Sequence, residues 1–152
     1  GMLVILDSFL NRITRNRRLG RNTWIYIDEI YLLFQHEYSA NFLFTLWKRV
    51  RKYGACCTGL TQNVDDLLQS HTARTMLANS EFLVMLNQAS TDRVELARLL
   101  NISDNQLSYI TNVDFGRGLI KCGSAIVPFM DNFPKHTQLY QWMTTKPSDL
   151  TV

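Results

Sequence analysis

The chain has 152 residues and a net charge of +3, with 46% hydrophobic and 19% charged residues. That length suits one domain with a sizeable core and no need of disulfide staples, and the composition excludes a disordered chain. No apolar run approaches the ~18 residues of a transmembrane helix, no signal peptide is visible, and Gly1 before Met2 reads as a protease-cleavage scar.

Leu3, Leu6, Leu10 and Ile13 recur at helical spacing, and the pattern runs into an arginine-rich stretch before Gly20. Thr23-Trp24-Ile25-Tyr26-Ile27 is β-rich and apolar at nearly every position, which suits a strand buried on both faces. Phe42, Leu43, Leu46, Trp47 and Val50 form one face of the next helix, with Gly54 as its stop. A second buried strand is expected over 55–60. Asn63 or Thr61 can cap a short helix through Val64, Leu67 and Leu68, and another helical piece covers 72–78.

Phe82 to Leu86 reads as a third buried strand. Ser90 can cap the following helix, and Ser103-Asp104-Asn105-Gln106 fits a capping box for one more. Residues 118–122 and 125–130 flank Gly123-Ser124, as in a β-hairpin. A short amphipathic piece, 139–143, precedes a polar tail with Pro147. Helices alternating with buried strands up to about residue 87 argue for an α/β fold with a parallel sheet, followed by a hairpin edge.

Cys56, Cys57 and Cys122 give neither a disulfide framework nor a zinc site, and are expected to be reduced, buried thiols of a cytoplasmic protein. Arg12, Arg15, Arg17, Arg18 and Arg21 cluster without an acid among them. Such a cluster can contact nucleic acid or an acidic partner, or simply load a solvated helix end with cations.

The chemistry concentrates in Ile25-Tyr26-Ile27-Asp28-Glu29. In open α/β sheets ligands bind beyond the strand C-termini. A carboxylate there, Asp28, can hold the hydration shell of Mg²⁺. A second, Glu29, can orient and polarise an attacking water. The next strand ends in Thr61-Gln62, where a neutral amide can contact a γ-phosphate or the water without adding charge. Arg51 ends the intervening helix and can reach a neighbour's phosphates with its bidentate fork; Arg93 is a second candidate. No G-x-x-x-x-G-K-[ST] occurs: Gly54 and Gly59 have the spacing, but Leu60-Thr61 follows, and the stretch reads better as a strand.

Together these segments resemble the conjugal-transfer ATPases of type IV secretion systems, in the FtsK/HerA-like branch of RecA-fold P-loop motors. Tyr26-Ile27-Asp28-Glu29-Ile30-Tyr31-Leu32-Leu33 looks like their Walker B segment. Arg51-Lys52-Tyr53-Gly54 and Thr61-Gln62-Asn63-Val64-Asp65-Asp66-Leu67 look like the arginine-bearing helix end and the glutamine motif. Gly116-Arg117-Gly118-Leu119-Ile120 and Val127-Pro128-Phe129 resemble the C-terminal glycine motif and hairpin. The resemblance spans about residues 3–147.

It implies a partial RecA-like core with a mostly parallel sheet, helices on both faces and a C-terminal β-hairpin, in a single domain lacking the Walker A segment. It further implies a hexameric ATPase at the cytoplasmic face of the bacterial membrane, partnered by other secretion-channel components. Mg²⁺-ATP hydrolysis would drive DNA or protein transfer. By resemblance, Asp28 is the Mg²⁺-linked acid, Glu29 the hydrolytic base, Gln62 (with Thr61) the γ-phosphate sensor and Arg51 the leading trans finger, ahead of Arg93 and Arg117. The family's phosphate-binding loop lies upstream of this sequence, so the isolated chain is expected not to hydrolyse ATP appreciably or to bind nucleotide tightly. The alternative is a non-enzymatic domain that keeps the motor fold and binds DNA or protein through Arg12 to Arg21.

Overall fold

Helix α1 (Met2–Arg18) turns Leu6 and Ile13 inward and ends in Arg15, Arg17 and Arg18, where cations complement the helix dipole. The computed structural model describes residues 2–145, apart from the side chains of Met2, Leu3, Ser90 and Thr91. Gly1, the proposed cap at Ser90 and the tail with Pro147 therefore lie outside the described residues. Gly20, at φ 66°, reverses the chain into strand β1 (Thr23–Ile27). Helix α2 (Glu37–Arg49) then crosses over to strand β2 (Ala55–Gly59), with Gly54 at φ 64° as the stop. β1 and β2 run parallel, with Thr23 opposite Ala55 and Ile27 opposite Gly59.

Two compact units are present. The first comprises the chain up to Ser80 together with Val94–Leu100. In it Ile13 of α1, Ile25 of β1, and Leu46 and Val50 pack as one cluster. A second cluster joins Ile30 and Leu43 to Leu67, Ala73 and Met76 from helices α3 (Val64–Gln69) and α4 (His71–Ala78). Arg74 on α4 pairs with Glu95 at 2.8 Å, on the part of helix α5 (Ser90–Leu100) that belongs to this unit.

The second unit comprises Glu81–Arg93 and the chain from Asn101. Its sheet is antiparallel, in the order β3 (Phe82–Met85), β4 (Arg117–Cys122), β5 (Ala125–Met130). Gly123, at φ 57°, opens the two-residue β4–β5 loop, the position where a primed hairpin turn needs positive φ. Helix α6 (Asp104–Leu107) begins with the expected capping box: Ser103 Oγ accepts from Gln106 N–H, and Gln106 Oε1 accepts from Ser103 N–H. Helix α7 (Gln138–Met143) is capped by Thr137.

The α/β fold with a parallel pair and a C-terminal hairpin is as the sequence indicates. The burial differs. The strands are not covered on both faces: Ile25 is 8% exposed, whereas Trp24 and Tyr26 beside it are 65% and 68% exposed. Alternate residues of a strand face opposite ways, and α1 and α2 pack only on the Ile25 side. Phe82 and Val84 of β3 are likewise exposed, and β3 pairs antiparallel with β4 rather than extending the parallel sheet. The cysteines also depart from expectation. All are free thiols, but Cys56 and Cys122 are exposed and Cys57 is half-buried.

Candidate active site

The C-terminal ends of β1 and β2 are tied together by backbone. Leu60 N–H donates to Ile27 O at 2.8 Å, and Ile30 N–H donates to Leu60 O at 2.9 Å. These bonds carry the parallel pairing past both strands and bring Asp28 and Glu29 to the same edge as Thr61 and Gln62. Gly59 is required there by close approach: a Cβ would stand 2.6 Å from Ile30 Cδ1, and Ile30 is buried in the core. Ile30 thus anchors the residue that follows Glu29. Residues Ile30–Phe34 form a 3₁₀ turn that the sequence reading does not contain.

Glu29 is unusual in two respects. Its backbone is left-handed, with φ 47° and ψ 48°, a conformation unfavourable for a non-glycine residue with a long side chain. Its Oε2 atom is buried and has no hydrogen-bond partner within the protein. Buried polar atoms are nearly always satisfied, so an orphan oxygen marks a place for water or a ligand group. Asp28 is exposed, and its Oδ1 accepts from Glu29 N–H at 3.0 Å, which fixes the two carboxylates relative to one another.

On the β2 side, Thr61 Oγ1 accepts from Asn63 N–H at 3.1 Å and donates to Asn63 O at 3.2 Å. Asn63 in turn caps α3, its Oδ1 accepting from Asp66 N–H. Thr61 is therefore engaged in shaping the turn, whereas Gln62 is exposed at its apex. Asp28 and Glu29 suit a magnesium–water site: one exposed carboxylate, and one with an oxygen held out of solvent and unpaired. Gly54 to Gly59, which has the glycine spacing of a P-loop, is the cap of the preceding 3₁₀ turn followed by strand β2 rather than a phosphate-binding loop.

The model of the TraG P-loop domain matches residues 2–118.

The chain belongs to the TraG P-loop domain family. This agrees with the resemblance to conjugal-transfer ATPases drawn from the sequence. Among solved structures it is similar to VirB4 of Thermoanaerobacter pseudethanolicus, at 24% identity and a TM-score of 0.75 over 97% of this chain. That likeness establishes the fold. The chain spans 37% of the length of the VirB4 chain. No curated protein matches it.

Within this TraG P-loop chain Arg51 stands apart from the carboxylates. Arg51 is exposed and lines a shallow cavity with Asn22, Thr23, Trp24, Gly54, Ala55 and Cys56. Those residues mark the N-terminal ends of β1 and β2, so the length of a five-residue strand separates Arg51 from the Asp28 edge. At ~3.3 Å per residue that is about 13 Å. Arg93 and Arg117 belong to the second unit. Arg93 sits in the first turn of α5, its N–H donating to Ala89 O. Arg117 pairs with Asp114 at 3.7 Å.

The glycines flanking Arg117 have a packing explanation. A Cβ on Gly118 would collide with the Met85 carbonyl oxygen and stand 2.8 Å from Phe129 Cε1. One on Gly116, which has φ 76°, would collide with Asp131 O.

Proposed function

We propose that this chain is the water-activating portion of a conjugative-transfer, type IV secretion motor ATPase. The longer protein hydrolyses Mg²⁺-ATP at the cytoplasmic face of the bacterial membrane to power DNA or protein transfer. The observation that carries this reading is Glu29, a carboxylate in a strained left-handed conformation with a buried, unpartnered oxygen, set beside exposed Asp28 at the end of β1.

Bound Mg²⁺ would supply charge neutralisation for the phosphates. Asp28 would hold that ion through its water shell. Glu29 Oε2 would accept a hydrogen bond from the attacking water and take its proton. Gln62, neutral and exposed on the neighbouring strand, would report the γ-phosphate state to α3 through the Thr61–Asn63 turn. Arg51, at the far edge of the same strands, would serve only a neighbouring subunit's nucleotide, which fits a ring-shaped homo-oligomer.

Phosphate cradling falls to a segment outside this sequence, so the purified chain is expected to show no magnesium-dependent ATP turnover above buffer. Turnover that disappears in Glu29→Gln would overturn the assignment of phosphate binding to other parts of the protein.

A further inference from the structure

Gly59 is the last residue of β2, opposite Ile27, and its φ is not in the left-handed region. Its own backbone therefore has no need of glycine, and glycine weakens a strand through its freedom in the unfolded chain. The need is for space. A Cβ at this position would lie 2.6 Å from Ile30 Cδ1, 3.3 Å from its Cγ2 and 3.5 Å from its Cβ. Rotating the tip of the isoleucine would relieve the first of these contacts only. Ile30 is β-branched and stiff at χ1, and it packs in the core with Leu43, Leu67, Ala73 and Met76. A methyl group at residue 59 would displace Ile30 as a whole, main chain included.

The Ile30 main chain is what sets Glu29. Ile30 N–H donates to Leu60 O at 2.9 Å and Leu60 N–H donates to Ile27 O at 2.8 Å. Residues 27 and 30 are thereby tied to the end of β2, and only Asp28 and Glu29 bridge them. Within that bridge Glu29 N–H donates to Asp28 Oδ1 at 3.0 Å, and Glu29 O accepts from Leu32 N–H at 3.1 Å. Both peptides flanking Glu29 are held, so its φ of 47° follows from its two ends and not from its own preference. The buried, unpartnered Oε2 belongs to the side chain aimed by that backbone.

We propose that Gly59 and Ile30 are a size-matched pair of positioning residues: the empty Cβ site of Gly59 admits Ile30 to the core, and the seated Ile30 holds the Glu29 carboxylate where it meets the attacking water. The inference rests on the reading that Glu29 activates that water. Neither member of the pair touches the reacting atoms. Misplacing a catalytic group by about 1 Å can lower a rate by on the order of 10²-fold.

The test measures kcat and KM for magnesium-dependent ATP hydrolysis by the longer motor protein. Gly59→Ala should lower kcat by about 10–10²-fold and leave KM within about threefold, because Glu29 acts on water and not on the phosphates. In the Glu29→Gln background, Gly59→Ala should change the residual rate by less than about twofold, since its effect passes through a carboxylate that is already gone. Ile30→Val removes Cδ1 and leaves 3.3 Å as the closest approach. Added to Gly59→Ala, it should restore kcat at least about fivefold. A readout without ATP comes from melting the 152-residue chain. The gain in Tm from Glu29→Gly should shrink to about half or less in the Gly59→Ala background, where Glu29 is no longer held left-handed.

An unchanged kcat in Gly59→Ala, a loss that multiplies in full with that of Glu29→Gln, or an equal Tm gain in both backgrounds would each overturn the proposal. If Gly59→Ala does not fold, the double variant with Ile30→Val decides. Folding with kcat restored supports the size match, and failure to fold, or folding without activity, refutes it. Wild-type rates in Glu29→Gln would remove the water-activating reading and this proposal with it. An inactive Glu29→Gln beside a fully active Gly59→Ala would remove the pairing alone.

Discussion

Replacing Glu29 with glycine should make the protein more stable. Its left-handed backbone costs a residue with a Cβ about 1–2 kcal/mol. Glycine adopts that conformation freely, but its extra freedom in the unfolded chain returns ~0.5–1 kcal/mol of the gain. Glu29 Oε2 is buried without a partner, and relieving such an orphan is worth about 1–3 kcal/mol. Together the change should stabilise the fold by about 2 kcal/mol. At ~2–4 °C per kcal/mol for a chain of this size, that raises Tm by about 4–8 °C. Glu29→Ala separates the contributions, because it removes the carboxylate but keeps the strained backbone; it should fall about 1 kcal/mol short of the glycine variant. Urea unfolding followed by circular dichroism, with a thermal melt alongside, measures both. If Glu29→Gly melts at or below the wild type, Glu29 is neither strained nor orphaned at a cost, and its reading as a residue held in place for chemistry loses its physical basis.

Other outcomes follow from the same geometry. Gly118→Ala should be among the most damaging single-methyl additions in the second unit, because the new Cβ meets the Met85 carbonyl at the end of the β3–β4 pairing; a loss of roughly 2–3 kcal/mol or failure to fold is expected in a melt. Burial, and then the neighbouring Cys56 thiol, push the Cys57 pKa up to about 12. At pH 8 Ellman's reagent should therefore titrate Cys56 and Cys122 promptly and Cys57 only on unfolding. The neutral Cys57 thiol also contributes stability that is complete below the ordinary thiol pKa of ~8.5 and lost as pH rises toward 12, so alkaline melts should fall less steeply in Cys57→Ala. In the longer motor, Arg51→Ala and Glu29→Gln subunits, each inactive alone, should regain part of the ATPase rate when mixed, since Arg51 lies too far from its own Glu29 edge to act there.

The sequence reveals the elements better than their surroundings. α1, α2 and the hairpin are legible because periodicity and the glycines at 20, 54 and 123 mark both their faces and their ends. The two-faced burial expected of the strands fails at Trp24, Tyr26, Phe82 and Val84. An apolar residue shows that burial would be favourable, but whether anything covers it depends on the neighbouring elements. The third strand illustrates the same limit: Phe82–Met85 is a strand as composition suggests, yet its antiparallel partner lies more than thirty residues downstream, a choice set by tertiary pairing.

At the candidate site the residue types were legible and the geometry was not. Asp28, Glu29, Thr61 and Gln62 follow two apolar runs, and the parallel register brings them to one edge. The left-handed Glu29 and its buried oxygen leave no trace in composition, because they arise from Ile30 being drawn into the core against Gly59. A glutamate between an apolar strand and an isoleucine, with a glycine closing the next strand, is the faint pattern that could have pointed there. In the sequence Arg51 lies between the two motifs; in space it stands at the other end of both strands.

The central claim is that Glu29 activates water at the end of β1. Its most direct test is the steady-state rate of magnesium-dependent ATP hydrolysis by the longer motor protein carrying Glu29→Gln, with nucleotide affinity measured in parallel. The account predicts a rate reduced by about 10²–10⁴, the usual worth of a general base, with nucleotide affinity unchanged within a few-fold. A variant that still hydrolyses ATP within a few-fold of wild type would contradict it.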